Sequence, residues 1–159
     1  MKKSTRGFSL IELLIVVAII LIIAAIAIPN LLRSRIAANQ ASAVGSLRTL
    51  NTAEITYAST YNSGYSATLT YLQPSASGNP TSQAAGLIDS VLGTGVKSGY
   101  GFAYTSGATD PSGRINTYTI TGTPVSTSTG TNYYFTDQSG VIRQNSTSVA
   151  GSTDSPLAG

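Results

Sequence analysis

Among the 159 residues, the side chain whose type and place most demand a chemical explanation is Glu12. It stands at the head of an unbroken aliphatic run, Leu13 to Ile28, and comes directly after Phe8-Ser9-Leu10-Ile11. A carboxylate in hydrocarbon costs at least about 2 to 3 kcal/mol on insertion scales, so it normally has a partner or a function. The competing reading is that it snorkels to lipid headgroups from near the start of a helix. The other residues able to do chemistry are fewer and weaker. There is no Cys and no His, which removes thiolate nucleophiles, a Ser-His-Asp triad and His or Cys zinc sites. No catalytic residue, metal site or cofactor is expected, and the chain does not read as an enzyme.

Three further patterns have bland explanations. Gly93-Thr94-Gly95-Val96-Lys97-Ser98 lacks the spacing of a phosphate loop and reads as a flexible loop. Asp110 and Asp137 could each offer an oxygen to calcium, but that ion takes six to eight, and turn formation by Asp is the default. Asn145-Ser146-Thr147 fits the N-glycosylation sequon, and Ser126 to Thr131 could accept O-linked sugars; both are expected on surface loops.

The elements that position Glu12 come next. Phe8 to Ile28 as a helix spans about 30 Å, the thickness of a bilayer's hydrocarbon core. The formal charge of +3 comes wholly from Lys2, Lys3 and Arg6, directly before this stretch. That placement gives no support for a nucleic-acid-binding face. By the positive-inside rule it keeps the N-terminus in the cytoplasm and sends the chain beyond Pro29 outside. A cleaved secretory signal ending near Ala25-Ile26-Ala27 is the alternative, disfavoured by the length of the run and by Glu12 within its start.

The residues Gly7-Phe8-Ser9-Leu10-Ile11-Glu12 and the aliphatic run to Pro29 closely resemble the N-terminal signature shared by type IV prepilins and type II secretion pseudopilins. The resemblance implies a leader, residues 1–7, cut between Gly7 and Phe8 by a prepilin peptidase. It also implies N-methylation of the new Phe8 amine, and pairing of Glu12 with the Phe8 terminus of a neighbouring subunit. Such a pair specifies register more than it adds stability. Leu21 stands where many family members have Gly, and Leu is the better helix former by nearly 1 kcal/mol. Pro29 occupies the expected proline position, removes one backbone donor and is expected to kink the helix.

Beyond Pro29, Leu32, Ile36, Ala43, Leu47, Leu50, Tyr57 and Tyr61 form one stripe at helical spacing, interrupted by Gln40 and Glu54. One nearly continuous helix is expected from Phe8 to about Tyr61, ended by Asn62-Ser63-Gly64. Its parts are a membrane or filament-core segment, 8–29, and an amphipathic continuation, 30–61. A globular head, 62–144, comes after it. Tyr57, Tyr61, Tyr65 and Tyr71 read as core packing with hydroxyls toward water rather than as a path for charge. Gln73 to Gln83 reads as a loop and Gln83 to Leu92 as a short second helix. Short antiparallel strands are expected at Tyr100–Tyr104, Asn116–Gly122, Tyr133–Phe135 and Val141–Arg143, with a turn at Asp137–Gly140. The polar tail, 145–159, is either mobile or laid along the head. The fold class is α+β: a long N-terminal helix on a three- or four-stranded antiparallel sheet, the ladle of the pilin family.

The resemblance implies a structural subunit of a type IV pilus, used for adhesion, motility or DNA uptake; a type II secretion pseudopilin shares the same N-terminus and is the alternative. The implied partners are further copies of this chain in a helical filament, the prepilin peptidase and N-methyltransferase, inner-membrane assembly machinery with its ATPase, and membrane lipid before assembly. The precursor is expected in the bacterial inner membrane and the product in an extracellular filament.

Overall fold

The structure is a computed structural model that describes residues 7–157. Lys2, Lys3 and Arg6 of the expected leader therefore lie outside the described residues, as do the last two residues of the tail. Helix α1 runs Leu10–Tyr61, 52 residues, with Pro29 inside it. Leu, Ile and Ala carry most of it, and the one missing donor, at Pro29, costs the helix a bond without ending it. Two compact units divide after Arg35. In the first, the large apolar side chains are exposed throughout, from Phe8 at 79% to Leu32 at 50%. No core within the described residues covers them.

The second unit has a core of its own. Along α1, Ala43, Leu47, Leu50, Ala53 and Tyr57 are buried at helical spacing. They pack with Leu69, Leu72, Leu92, Tyr100, Phe102, Tyr118, Ile120 and Tyr134. Gln40 and Glu54, which break the stripe in sequence, both bond to the head: Gln40 Nε2 donates to Thr131 Oγ1 at 2.9 Å, and Glu54 accepts from Ser66. Leu50 is wholly buried, so Leu50→Ala is expected to destabilise this unit by about 2–5 kcal/mol. Chemical denaturation of the full chain in detergent micelles, read by near-ultraviolet tyrosine dichroism, checks it.

Five strands form one antiparallel sheet in sequential order: β1 Val96–Lys97, β2 Tyr100–Ser106, β3 Tyr118–Pro124, β4 Tyr133–Asp137 and β5 Arg143–Asn145. The expected α+β class stands, with one strand more than foreseen because the two residues of β1 are too short to show a period. Tyr100 and Phe102 on β2, and Tyr118 and Ile120 on β3, alternate inward as a half-buried sheet requires. β3 and β2 are in register from Tyr100 opposite Pro124 to Ser106 opposite Tyr118.

Three expectations are corrected. The strand foreseen at Asn116–Gly122 lies two residues later, at Tyr118–Pro124. The helix foreseen over Gln83–Leu92 is only α2, Ser90–Gly93. Upstream of it, Gly86 takes φ +68°, and Ala85 and Leu87 donate backbone bonds to Tyr71 and Leu72, at the end of a 3-10 turn, Leu69–Leu72. Asp89 sets the actual start, its Oδ1 accepting from Leu92 N at 2.8 Å while Oδ2 takes Lys97 Nζ at 2.8 Å. That lysine, and then the Leu92 amide, hold its carboxyl below the usual range. The strand foreseen at Val141–Arg143 lies two residues later, pairing Tyr133 with Asn145. Gly140 O is tied to Asn51 Nδ2 at 3.2 Å, and Ile142 turns into the core. The tail is laid along the head in its described part: Leu157 N donates to Ile142 O at 2.8 Å, Gln144 N to Ser155 O at 3.0 Å, and Arg143 Nη1 to Asp154 O at 2.9 Å.

The helix end falls at Asn62-Ser63-Gly64, as expected. Gly64 has φ +78°, and a Cβ there would run into the Ile115 carbonyl. That carbonyl accepts from Tyr65 N at 2.7 Å, so no side chain fits where the chain leaves α1.

Candidate functional site

Gly7 and Phe8 lie just before α1, and Glu12 in its first turn. Phe8 is exposed, and Glu12 Oε2 accepts the backbone N–H of Ser9 at 2.8 Å. Leu13 N donates to Ser9 O at 3.2 Å. Ser9 is thus the residue from which the helix starts, and Glu12, three residues on, reaches back to its amide. This is half of a reciprocal capping box. The same carboxylate faces the positive end of the helix dipole. The Ser-x-x-Glu spacing that signals this cap is plain in the sequence, yet an explanation through a partner alone overlooks it. Among the described residues Glu12 has no basic partner; one oxygen is spent on the cap, and the other, Oε1, accepts no hydrogen bond. A Cβ added at Gly7 meets nothing within 4 Å, so the fold itself does not call for glycine there. Pro29 lies seventeen positions beyond Glu12 in the same helix, not beside it.

Asn145 lies in the second unit, at the end of β5. Its Oδ1 accepts from Thr147 N and Oγ1, both at 2.9 Å, and its Nδ2, the atom a glycan would use, donates to Asp154 Oδ1 at 2.9 Å. Asp110 and Asp137 are turn formers. Asp110 Oδ1 accepts from Ser112 N and Arg114 N at 2.8 and 2.9 Å, and Asp137 Oδ1 from Ser139 N at 2.9 Å. Among the described residues, no three His, Cys, Asp or Glu side chains converge as a metal site would need.

A second polar cluster, unforeseen in the sequence, joins α1 to the sheet. Glu54 is wholly buried. Its Oε2 accepts Ser66 N at 2.9 Å, and Oε1 lies 2.6 Å from Ser66 Oγ. Tyr104 OH donates to Ser66 O at 2.7 Å, and Ser66 Oγ is 3.1 Å from Thr68 O. Burial pushes the Glu54 carboxyl up, against the opposing pull of the Ser66 bonds. Ser66 Oγ donates to the ionised carboxylate; in acid, where Glu54 holds its proton, the O–H can give to Ser66 Oγ and leave that hydroxyl's hydrogen for Thr68 O. One turn earlier, Asn51 Nδ2 donates to Thr136 Oγ1 at 2.9 Å, and Tyr118 OH donates to Asn51 Oδ1 at 3.0 Å. Burial, then the Glu54 charge, push the Tyr104 and Tyr118 hydroxyls far above their usual range. Every member is partnered, so the cluster fixes how this stretch of helix seats on its sheet. The helical interruption at Glu54 is its one visible signal in the sequence.

Residues 2–28 match the family model described as the prokaryotic N-terminal methylation motif. The type IV major pilin protein PilA of Myxococcus xanthus is 55% identical over 49 residues, 31% of this chain and 22% of its own length. The type IV wide pilus major component PilA4 of Thermus thermophilus is 62% identical over 37 residues, 23% of this chain and 28% of its own length. In these alignments the chain spans less than a third of either curated relative. No solved structure matches it. The stretch that matches the methylation motif carries Gly7, Phe8 and Glu12.

Proposed function

We propose that this chain is a subunit of a type IV pilus, held in the membrane as a precursor, cut between Gly7 and Phe8, methylated on the new amine and polymerised through α1. The observation that carries the reading is the Gly7-Phe8…Glu12 constellation at the head of an apolar helix, within the stretch that matches the methylation motif. Both relatives are named as major pilus components, which favours a pilus over a secretion pseudopilus.

Each part of the chain has a role in this reading. Gly7 answers to the peptidase, since the fold makes no demand for it. The exposed apolar surface of the first unit is solvated by lipid in the precursor and by other copies of α1 in the filament. Exchanging one environment for the other is work for assembly machinery with its own ATPase. Glu12, its Oε1 unspent, meets the methylated Phe8 ammonium of a neighbour and sets the axial register. The second unit faces outward and forms the filament surface used for adhesion, motility or DNA uptake. Here the N-terminus of the precursor is cytoplasmic and the second unit lies across the membrane.

Intact mass and N-terminal sequencing of the main protein in sheared surface filaments test this directly. The expected chain begins at Phe8 and carries one methyl group on its amine. A chain beginning after Ala27, or found only uncleaved in membranes, overturns the reading. The same mass reports glycosylation at Asn145, which would have to open the bond from Nδ2 to Asp154.

A further inference from the structure

Past the end of the unbroken apolar run at Ile28, α1 continues through Pro29 and Asn30 to a second apolar pair, Leu31 and Leu32, 69% and 50% exposed, and then to Arg33, with Arg35 two positions on; both arginines are exposed. Between Leu13 and Ala53 the chain has no Asp or Glu, so neither arginine has a carboxylate three or four residues away along the helix. Among the described residues the one ion pair is Lys97 with Asp89. Two bare guanidinium groups immediately beyond a bilayer-length apolar stretch call for an anion.

We propose that Arg33 and Arg35 form a cationic collar that binds the phosphates of anionic phospholipid headgroups and sets how deep the precursor's helix sits in the bilayer. The inference rests on the reading that the first part of α1 spans a membrane. Arg33 and Arg35 are five and seven positions past Ile28, so they lie about 7 to 10 Å further along the axis at 1.5 Å per residue. That interval starts at the outer edge of the headgroup layer, which adds about 5 to 7 Å on each side of the hydrocarbon, so the side chains must turn back toward the membrane to meet the phosphates. Arginine side chains are long enough to reach back to it, and a guanidinium meets a phosphate with two parallel hydrogen bonds.

The angular placement selects the occupant. Two residues apart in a helix of 3.6 residues per turn, the arginines point to opposite sides, about 200° apart. A single neighbouring protein surface would cover one of them and leave the other bare. Lipid surrounds the helix and serves both. The collar also supplies a brake on extraction: each subunit leaving the membrane must exchange two headgroup phosphates for other partners.

The full chain, reconstituted in vesicles of equal phosphatidylcholine and phosphatidylglycerol, tests this with spin-labelled lipids of either headgroup. The expected result is a preference for phosphatidylglycerol of about fivefold at the sites beside the helix, from one arginine each. It should fall to parity in the Arg33→Gln/Arg35→Gln variant, survive in the double Lys variant, and be indifferent to excess inorganic phosphate. Both arginines are exposed, so the variants should keep the helical dichroism of the parent. No preference in the parent, a preference the Gln variant keeps, or full competition by inorganic phosphate overturns the collar. If the Gln variant keeps its lipid preference and instead loses filaments, the arginines serve a second copy of this chain and the lipid assignment is wrong. Resistance of the vesicle-bound chain to alkaline extraction is scored separately, and release there fails the membrane reading itself along with the collar.

Discussion

Glu12→Gln should keep the start of α1 and lose the filament. Glutamine at this position reaches back to the Ser9 amide as glutamate does, so the cap survives. The charge does not, and on the proposed assembly the Phe8 ammonium of a neighbouring subunit is then left in an apolar bundle with no counter-ion. Breaking a buried ion pair by removing one partner costs about 3–5 kcal/mol. Each subunit addition would then be disfavoured by roughly 150- to 5,000-fold. The yield of sheared filaments, set against cell-associated protein whose Phe8 methylation is verified by mass, reads this out. The informative contrast is with Glu12→Ala, which removes cap and charge together. If Gln assembles as the parent does while Ala fails, capping is the role of Glu12 and ionic register is not.

The second large effect is expected at Glu54. Glu54→Ala leaves the buried Ser66 N–H and hydroxyl without their partner and opens a void between α1 and the sheet. The expected loss is about 2–5 kcal/mol. Glu54→Gln has the opposite character. Its amide oxygen accepts Ser66 N–H and its NH2 donates to Ser66 Oγ, the arrangement of the protonated acid, so it should stay within about 1 kcal/mol of the parent in acid. The two also differ in pH dependence. Burial raises the folded-state pKa of Glu54 above its unfolded value. Below the unfolded value both states hold the proton and its stabilising contribution is fully present. As pH climbs through the raised folded value, the unfolded chain ionises first and that contribution is lost. The parent should therefore lose stability across this window, and Glu54→Gln should lose less. Urea midpoints of the full chain in detergent, taken from acid to neutral pH, decide it; parallel curves for the two proteins would mean that Glu54 ionises in the fold as it does in water.

How much of the molecule is legible in its sequence depends on how local each signal is. The helix is legible because its apolar spacing repeats every few residues and its Asn62-Ser63-Gly64 stop is written in three adjacent ones. β2 and β3 are legible because one face is buried and the side chains alternate. The helix foreseen after Gln83 fails because the backbone bonds from Ala85 and Leu87 go to Tyr71 and Leu72, a tertiary pairing without local period. The last strand slides because Asn51, on α1, holds Gly140. At the candidate site, the residue types and spacing of Gly7, Phe8 and Glu12 are local and can be read. The Glu54–Ser66–Tyr104 cluster joins three separate stretches, and nothing in any one of them announces the others.

On the proposed function the chain is packed at high density beside copies of itself, and the two outermost strands of the sheet then have a meaning. β1 offers two residues and carries Lys97; β5 offers three, and across from its Arg143 lies Pro156, which has no N–H to give. Short, charged or proline-guarded rims are poor templates for adding a strand from another molecule. Cross-β stacking, the route by which exported sheet proteins turn into amyloid, is thus closed at both ends. On the proposed assembly, polymerisation is then left to the helix.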